Sequence, residues 1–174
     1  FLRDMEKSPI RMEEPVFPAD AALRLHPDRA DFETVGLEWS RHEFPYVFHR
    51  LYWVTGGRAI LHWRGGGRTV LRPDRLYLVP AQRPFRGECR RALSHWFVHF
   101  QFSLSGLSPF ELLPWKRSIP FPRRGERARL VPRLHALLTC AGLPQRLEAE
   151  AILRRLLLPF FTGPIYGPSV LSAA

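Results

Sequence analysis

Two histidines, His95 and His99, lie four residues apart in the aromatic stretch LSHWFVHFQF at 93–102. On a helix this spacing would place both imidazoles on one face, where they can bind the same metal ion. The stretch has the composition of a β-strand, in which positions four apart share a face but lie roughly 13 Å from each other. Bonds from a metal to imidazole nitrogen are about 2 Å long, so these two side chains cannot share one ion. Two interpretations remain, namely half-buried imidazoles that bond to neighbouring groups, and polar groups in an aromatic ligand pocket.

A second pair, His42 and His49, has a spacing that resembles the first sequence motif of the cupins. Phe44 replaces one metal ligand of that motif, and His49 stands at its acidic position. The segment DRLYLVPAQRPF at 74–85 resembles the second cupin motif, with Phe85 in place of its metal-binding histidine. Transition metals in proteins need about three or four nitrogen or oxygen donors. Because phenylalanine replaces two of the ligands, we expect no metal and no other cofactor.

The elements that must position these residues are short strands. From about residue 15 to 121 the chain consists of short runs rich in aromatic and β-branched residues, divided by turn sequences such as TGG at 55–57. Strands that follow each other without helices between them predict a sandwich or a barrel. After Pro122 the apolar residues recur at helical spacing, which predicts helices at about 126–140 and 145–159.

Length and composition exclude several classes of protein. The 174 residues suffice for one well-buried core, and the apolar content of 45% excludes a disordered chain. The two cysteines, Cys89 and Cys140, cannot build a disulfide framework or a zinc finger, which favours a reduced, cytoplasmic setting. No signal peptide or membrane span is visible. The net charge of +10 comes mainly from scattered arginines, which favours a basic surface over direct nucleic-acid binding.

From about residue 30 to 160 the chain is similar to the N-terminal sensor domain of AraC-type transcription regulators. The resemblance rests on the strand-and-turn sequence at 50–85, on LSHWFVHFQF, and on the two leucine-rich segments that follow. It implies a mainly β fold, in which a cupin-like double-stranded β-helix barrel is followed by two C-terminal α-helices.

The resemblance also implies a division into an effector-binding barrel at 1–121, a helical dimerisation hairpin at 122–161 and a linker at 162–174. A small sugar-like effector would enter the barrel, and the helices would join two copies in a homodimer. DNA would be contacted only through a helix-turn-helix domain, which we expect to be missing from this chain. We therefore expect a non-enzymatic protein without a membrane partner. The alternative is a metal-dependent cupin enzyme that acts on a sugar or another small metabolite.

Alternation along each strand predicts which side chains face the barrel interior. If His49 points inward, then Leu51, Trp53 and Thr55 do so too, whereas Arg50 and Tyr52 point to the outside or to an edge. For Trp53 the alternative is packing in the core. On the strand at 93–102 we place the histidine face inward. The predicted ligand-binding residues are His42, Phe44, His49, Trp53, Thr55, His95, Phe97 and His99.

The second predicted helix is apolar around most of its circumference, so one surface cannot cover all of its leucines. Pairing with the same surface of a second copy would bury the remainder. The predicted dimerisation residues are Leu134, Leu138, Leu153 and Leu157. The alternative is that Phe160, Phe161 and the tail fold back over the apolar surface.

Overall fold

The computed structural model describes residues 22–41, 43–44, 47–140 and 142–161. Its strands are β1 (Leu23–Val35), β2 (Glu43–Phe44), β3 (His49–Gly57), β4 (Ala59–Trp63), β5 (Arg68–Leu71), β6 (Arg75–Val79), β7 (Phe85–Glu88), β8 (Leu93–Leu104) and β9 (Ser118–Pro120). Its helices are α1 (Pro109–Leu112), α2 (Glu126–Leu138) and α3 (Leu143–Leu157), together with 3₁₀ helices at Leu37–Arg41 and Leu158–Phe160. The predicted mainly β fold with two helices at the C-terminal end is confirmed.

The strands form two antiparallel sheets. One has five strands in the order β1-β8-β3-β6-β9, and the other has four in the order β2-β7-β4-β5. Strands that are close in the chain are joined by tight turns, such as the β4–β5 turn, in which Gly65, Gly66 and Gly67 all have positive φ. Among the described elements no helix is long and apolar enough to cross a membrane.

The five-stranded sheet is buried on both faces. Its first face packs against the four-stranded sheet, and the barrel interior between them contains Tyr52 of β3, Leu61 of β4 and Phe97 of β8. Its second face is covered by α2 and α3, where a separate core contains Leu51 and Trp96. Neighbouring residues of β3 and β8 therefore belong to different cores.

The chain between β1 and β2 does not continue as a strand. The sequence predicts a strand through DFETVGLEW, but β1 ends at Val35 and a 3₁₀ helix follows at Leu37–Arg41. This helix carries Trp39 into the barrel interior, where the side chain is 9% exposed. Gly87 of β7 makes room for it, because a Cβ there would lie 2.8 Å from Cε3 of Trp39.

The leucines predicted to join two copies lie inside the monomer. Leu134, Leu153 and Leu157 are at most 3% exposed in the core between the helices and the sheet, and the half-buried Leu138 packs against that core. The prediction that these residues form a dimer interface is therefore wrong for the three buried ones. The reason is that α3 packs against both the sheet and α2, so these leucines are covered within one copy of the chain.

Candidate ligand-binding site in the barrel

The barrel face of β8 places His95, Phe97 and His99 in one row. Alternating residues of this strand, Trp96 and Val98, point to the helices. The inward orientation of the histidine face agrees with the interpretation of the sequence. Ligand binding by these residues remains a prediction.

His95 is one of the deeply buried polar groups of the barrel interior, at 3% exposure. Its ring meets the Tyr52 ring edge to face at a centroid distance of 5.1 Å, and Trp39 lies 6.4 Å away. Burial lowers the pKa of His95 to about 4, so the imidazole is neutral at physiological pH. Its Nδ1 makes no hydrogen bond to any of the described residues. A neutral ring with one open nitrogen can donate or accept a hydrogen bond, depending on its tautomer.

His99 lies near the middle of β8 and is half-buried between two phenylalanines. Its ring stacks on Phe48 at 6.2 Å and contacts Phe97 at 4.8 Å. In the sheet, His99 is paired with Arg29 of β1 on one side and with Arg50 of β3 on the other. Burial, reinforced by the positive charge of Arg50, lowers the pKa of His99 to about 4. A second neutral imidazole thus stands between two guanidinium groups.

Arg50 and Tyr52 face the barrel interior, which is the opposite of the predicted orientation. Arg50 is only 2% exposed, and its guanidinium carbon lies 5.9 Å from the centre of the Phe85 ring. Tyr52 contacts both His95 and Trp39. The sequence interpretation missed these interior residues because it fixed the direction of β3 from the position of His49 in a cupin-like motif.

His49 faces the helical side of the sheet, so its predicted inward orientation is wrong. Its ring lies 4.7 Å from that of Phe110, and its Nδ1 accepts a hydrogen bond of 2.8 Å from the backbone N–H of Ala81. Its Nε2 lies 3.3 Å from the carbonyl oxygen of Phe102, to which it donates when Nδ1 is the acceptor. Burial lowers the pKa of His49 to about 4. This histidine connects three segments of backbone and is satisfied by them.

Trp53 does not reach the barrel interior either, and Thr55 bonds to a neighbouring strand. Trp53 packs in the core below the helices, with the Phe121 ring at 5.6 Å, as the alternative of core packing proposed. Thr55 lies where the pairing of β3 with β8 shifts register, and its hydroxyl donates to the carbonyl of Ser94 at 3.1 Å. The predicted inward orientation is therefore wrong for Trp53, whereas the Thr55 hydroxyl bonds to the backbone of β8 and its role in ligand binding stays a prediction.

Two further predicted site residues have no described side chain. His42 lies outside the described residues, and Phe44 is described only as part of the backbone of β2. Within residues 22–41, 43–44, 47–140 and 142–161, no three histidine, cysteine, aspartate or glutamate side chains come together in a way that could hold a metal ion.

The barrel interior thus combines two kinds of recognition group. Neutral imidazoles at His95 and His99 and the guanidinium of Arg50 can form hydrogen bonds. The apolar rings of Tyr52 and Phe97 pack beside them in the barrel core. A few polar groups that converge among aromatic side chains are typical of sites for small molecules.

Comparisons with known proteins identify similar structures at low identity. Neither a protein-family model nor a curated protein matches this sequence. ToxT from Vibrio cholerae, solved with a bound unsaturated fatty acid, is 10% identical with a TM-score of 0.39, and the match covers 92% of this chain and 61% of ToxT. A cupin superfamily protein from Desulfitobacterium hafniense is 17% identical with a TM-score of 0.31, covering 50% of this chain and 72% of that protein. A protein from Neisseria meningitidis is 12% identical with a TM-score of 0.32, covering 49% of this chain and 79% of the other.

At these identities and TM-scores, the similarity indicates neither the ligand nor the activity of this chain. A cupin superfamily protein and ToxT are both found among the structures similar to this chain.

Proposed function

We propose that this chain is the effector-binding and dimerisation domain of an AraC-type transcription regulator. The observation that supports the proposal best is the row of His95, Phe97 and His99 in the barrel interior, on strands whose other face packs against α2 and α3. In this proposal the barrel binds a small molecule without catalysis. The helices connect that event to a DNA-binding domain that lies outside this sequence.

We propose that the effector is small and hydroxylated, such as a sugar or another polyol. The C–H faces of such a molecule pack on the rings of Tyr52 and Phe97, and its hydroxyl groups exchange hydrogen bonds with neutral imidazoles. Because His95 and His99 both remain neutral well below pH 7, each can serve a hydroxyl as donor or as acceptor. Arg50 adds a donor that suits a sugar acid as well as a neutral sugar.

A screen of sugars, polyols and sugar acids by thermal shift tests this proposal. A bound compound at about 100 times its Kd stabilises the native state by about 2.7 kcal/mol, which raises the Tm by roughly 5 to 10 °C for a domain of this size. We expect the variant His99→Ala to lose most of this shift.

The matched control is His62→Ala. His62 lies on the outer face of the four-stranded sheet, where its Nε2 bonds to Glu88 at 2.8 Å. This control should keep the full thermal shift. A shift that His99→Ala leaves unchanged would contradict binding at the interior face of β8.

We further propose that the domain forms a homodimer through the outer face of α3. Leu143, Leu147 and Leu158 are 69%, 59% and 68% exposed, although each is a large apolar side chain. Together with the exposed Ala151 they follow one another at intervals of four or seven residues, so they lie along one side of α3 and of the 3₁₀ helix that follows it. The exposed Arg154 lies on the same side, between Ala151 and Leu158. A second copy can cover this side with the same side of its own in a twofold arrangement.

Light scattering over a concentration series tests the dimer. The double variant Leu143→Glu/Leu147→Glu places two carboxylates in the proposed interface, so we expect at least a hundredfold weaker association, because burying an unpaired charge costs several kcal/mol. The control is Leu37→Glu, since Leu37 is 62% exposed in the 3₁₀ helix, away from α3. A wild-type protein that stays monomeric at high concentration would refute the interface, as would a dimer that tolerates both glutamates.

A further inference from the structure

A second cleft, separate from the barrel interior, lies beside the β4–β5 turn. It has a volume of about 350 Å³. Three segments surround it, namely the β4–β5 turn, the connection between β6 and β7, and the segment that leads into β9. Its lining residues are Trp63, Arg64, Gly65, Gly66, Gln82, Arg83, Pro84, Trp115 and Arg117. None of them belongs to the ligand site proposed above.

Two tryptophans in the cleft are held in fixed orientations. The indole N–H of Trp63 donates to the hydroxyl of Thr69 at 2.9 Å, and the indole N–H of Trp115 donates to the carbonyl of Phe110 at 3.0 Å. Trp63 also meets the buried Phe85 edge to face at 5.8 Å. Both indole N–H groups thus bond within the protein. The rings present only their flat faces to the cleft.

Two arginines lie over these rings from other segments of the chain. The guanidinium carbon of Arg83 is 5.7 Å from the centre of the Trp115 ring, and that of Arg117 is 5.6 Å from the centre of the Trp63 ring. Stacking of this kind orients a guanidinium and leaves its N–H groups, which lie in the plane of the group, available to an acceptor.

The charge of the cleft is not compensated by acidic side chains. In the part of the chain that the structure describes, Arg64, Arg83 and Arg117 form no salt bridge, whereas Arg123 pairs with Asp74 and Arg155 pairs with Glu126. Among the described residues, the lining contains no aspartate or glutamate. This part of the cleft therefore attracts anions and offers no acidic group to bind a cation.

One edge of the cleft consists of backbone alone. Gly65 and Gly66 have φ values of +109° and +100°, and a Cβ at either position would meet no heavy atom within 4 Å. A molecule in the cleft can approach this backbone closely, as ligands with phosphate groups do at glycine-rich turns.

We propose that this cleft binds a small organic anion that carries both a phosphate group and a planar ring, of about the size of a mononucleotide. The guanidinium groups of Arg83 and Arg117 bind the phosphate oxygens through paired N–H donors. The planar ring stacks on an indole face or on the guanidinium plane itself, an arrangement that tolerates different bases. The volume of the cleft lies within the usual range for sites that bind small molecules.

Isothermal titration of the chain with adenosine 5′-monophosphate tests this proposal, at about 150 mM salt so that diffuse charge attraction is screened. Adenosine lacks the phosphate and ribose 5-phosphate lacks the ring, so we expect each to bind at least tenfold more weakly. The double variant Arg83→Gln/Arg117→Gln should weaken binding of the nucleotide at least tenfold. The control Arg68→Gln removes an exposed arginine of β5 that does not line the cleft, and it should leave the affinity unchanged.

Three results would overturn the proposal. Equal affinity for the nucleotide and for ribose 5-phosphate would indicate an adventitious ion only. Equal loss of affinity in the double variant and in Arg68→Gln would indicate attraction to the overall positive charge. Binding of a single-stranded oligonucleotide, with no measurable binding of the mononucleotide, would assign the surface to nucleic acid instead.

Discussion

Replacement of Gly57 by alanine is expected to destabilise the protein by about 3 kcal/mol or more, which places it among the most damaging single substitutions. Gly57 ends β3 with φ at +75°, a backbone conformation that residues with a Cβ rarely adopt. An added Cβ would also lie 2.0 Å from the carbonyl oxygen of Ala92, far inside van der Waals contact. Since that oxygen belongs to the backbone of the chain entering β8, it cannot move aside without disturbing the sheet.

Gly106→Ala is a matched control for this substitution. Gly106 has φ at +83°, close to that of Gly57, but a Cβ there would meet nothing within 4 Å. It therefore measures the backbone strain alone, roughly 1 to 2 kcal/mol. Urea unfolding gives the difference in the free energy of unfolding between the two variants, provided that their m values are equal. Equal losses of stability would show that the close approach of Gly57 to Ala92 has no energetic weight.

The free energy of unfolding is expected to fall steeply between about pH 6.5 and pH 4. Burial lowers the pKa of both His49 and His95 from 6.5 to about 4. In this window the unfolded chain binds a proton at each histidine and the folded chain does not, so acid favours unfolding. The stability that these two neutral histidines contribute is fully present above pH 6.5 and is lost as the pH falls towards 4. A shift of this size corresponds to roughly 3 kcal/mol for each group at its full extent.

The substitution His95→Phe isolates one part of this pH dependence. Phenylalanine suits the aromatic surroundings of Trp39 and Tyr52 and removes the titrating group. Protonation of carboxylates that form ion pairs also lowers the free energy of unfolding in acid. The useful quantity is therefore the difference in this pH dependence between wild type and variant. We expect the loss of stability from pH 7 to pH 4.5, measured by urea unfolding at constant ionic strength, to be about 2 kcal/mol smaller in the variant. Identical losses would show that His95 does not contribute.

The strands and their faces were not equally predictable from the sequence. Turn residues divide the strands clearly, and the mainly β fold follows from them. The direction of β3 could not be predicted from its pattern, because His49 to Val54 are all buried and no polar face marks the solvent side. A motif resemblance placed His49 inward, and a change of face by one residue reverses every assignment along the strand.

Other parts of the site depend on contacts between distant segments. Trp39 enters the barrel because a 3₁₀ helix turns inward beside Gly87, and no period in the sequence marks that turn. The arginine–tryptophan pairs of the second cleft join β4 to the segment before β9, and the β6–β7 connection to the segment after α1. Such pairs arise from the topology of the sheets. They become visible only when the strand order is known.

Strand β8 separates the barrel interior from the core between the sheet and the helices. Its odd-numbered residues, His95 to His99, face the barrel, while Trp96, Val98 and Phe100 are fully buried on the helical side. Close-packed interiors transmit small displacements rather than absorbing them. A molecule that pushes on the odd-numbered side chains therefore moves the even-numbered ones against the helices at once, through one thickness of backbone. A displacement can therefore pass from the barrel to the helical layer through β8 itself, without passing through any loop.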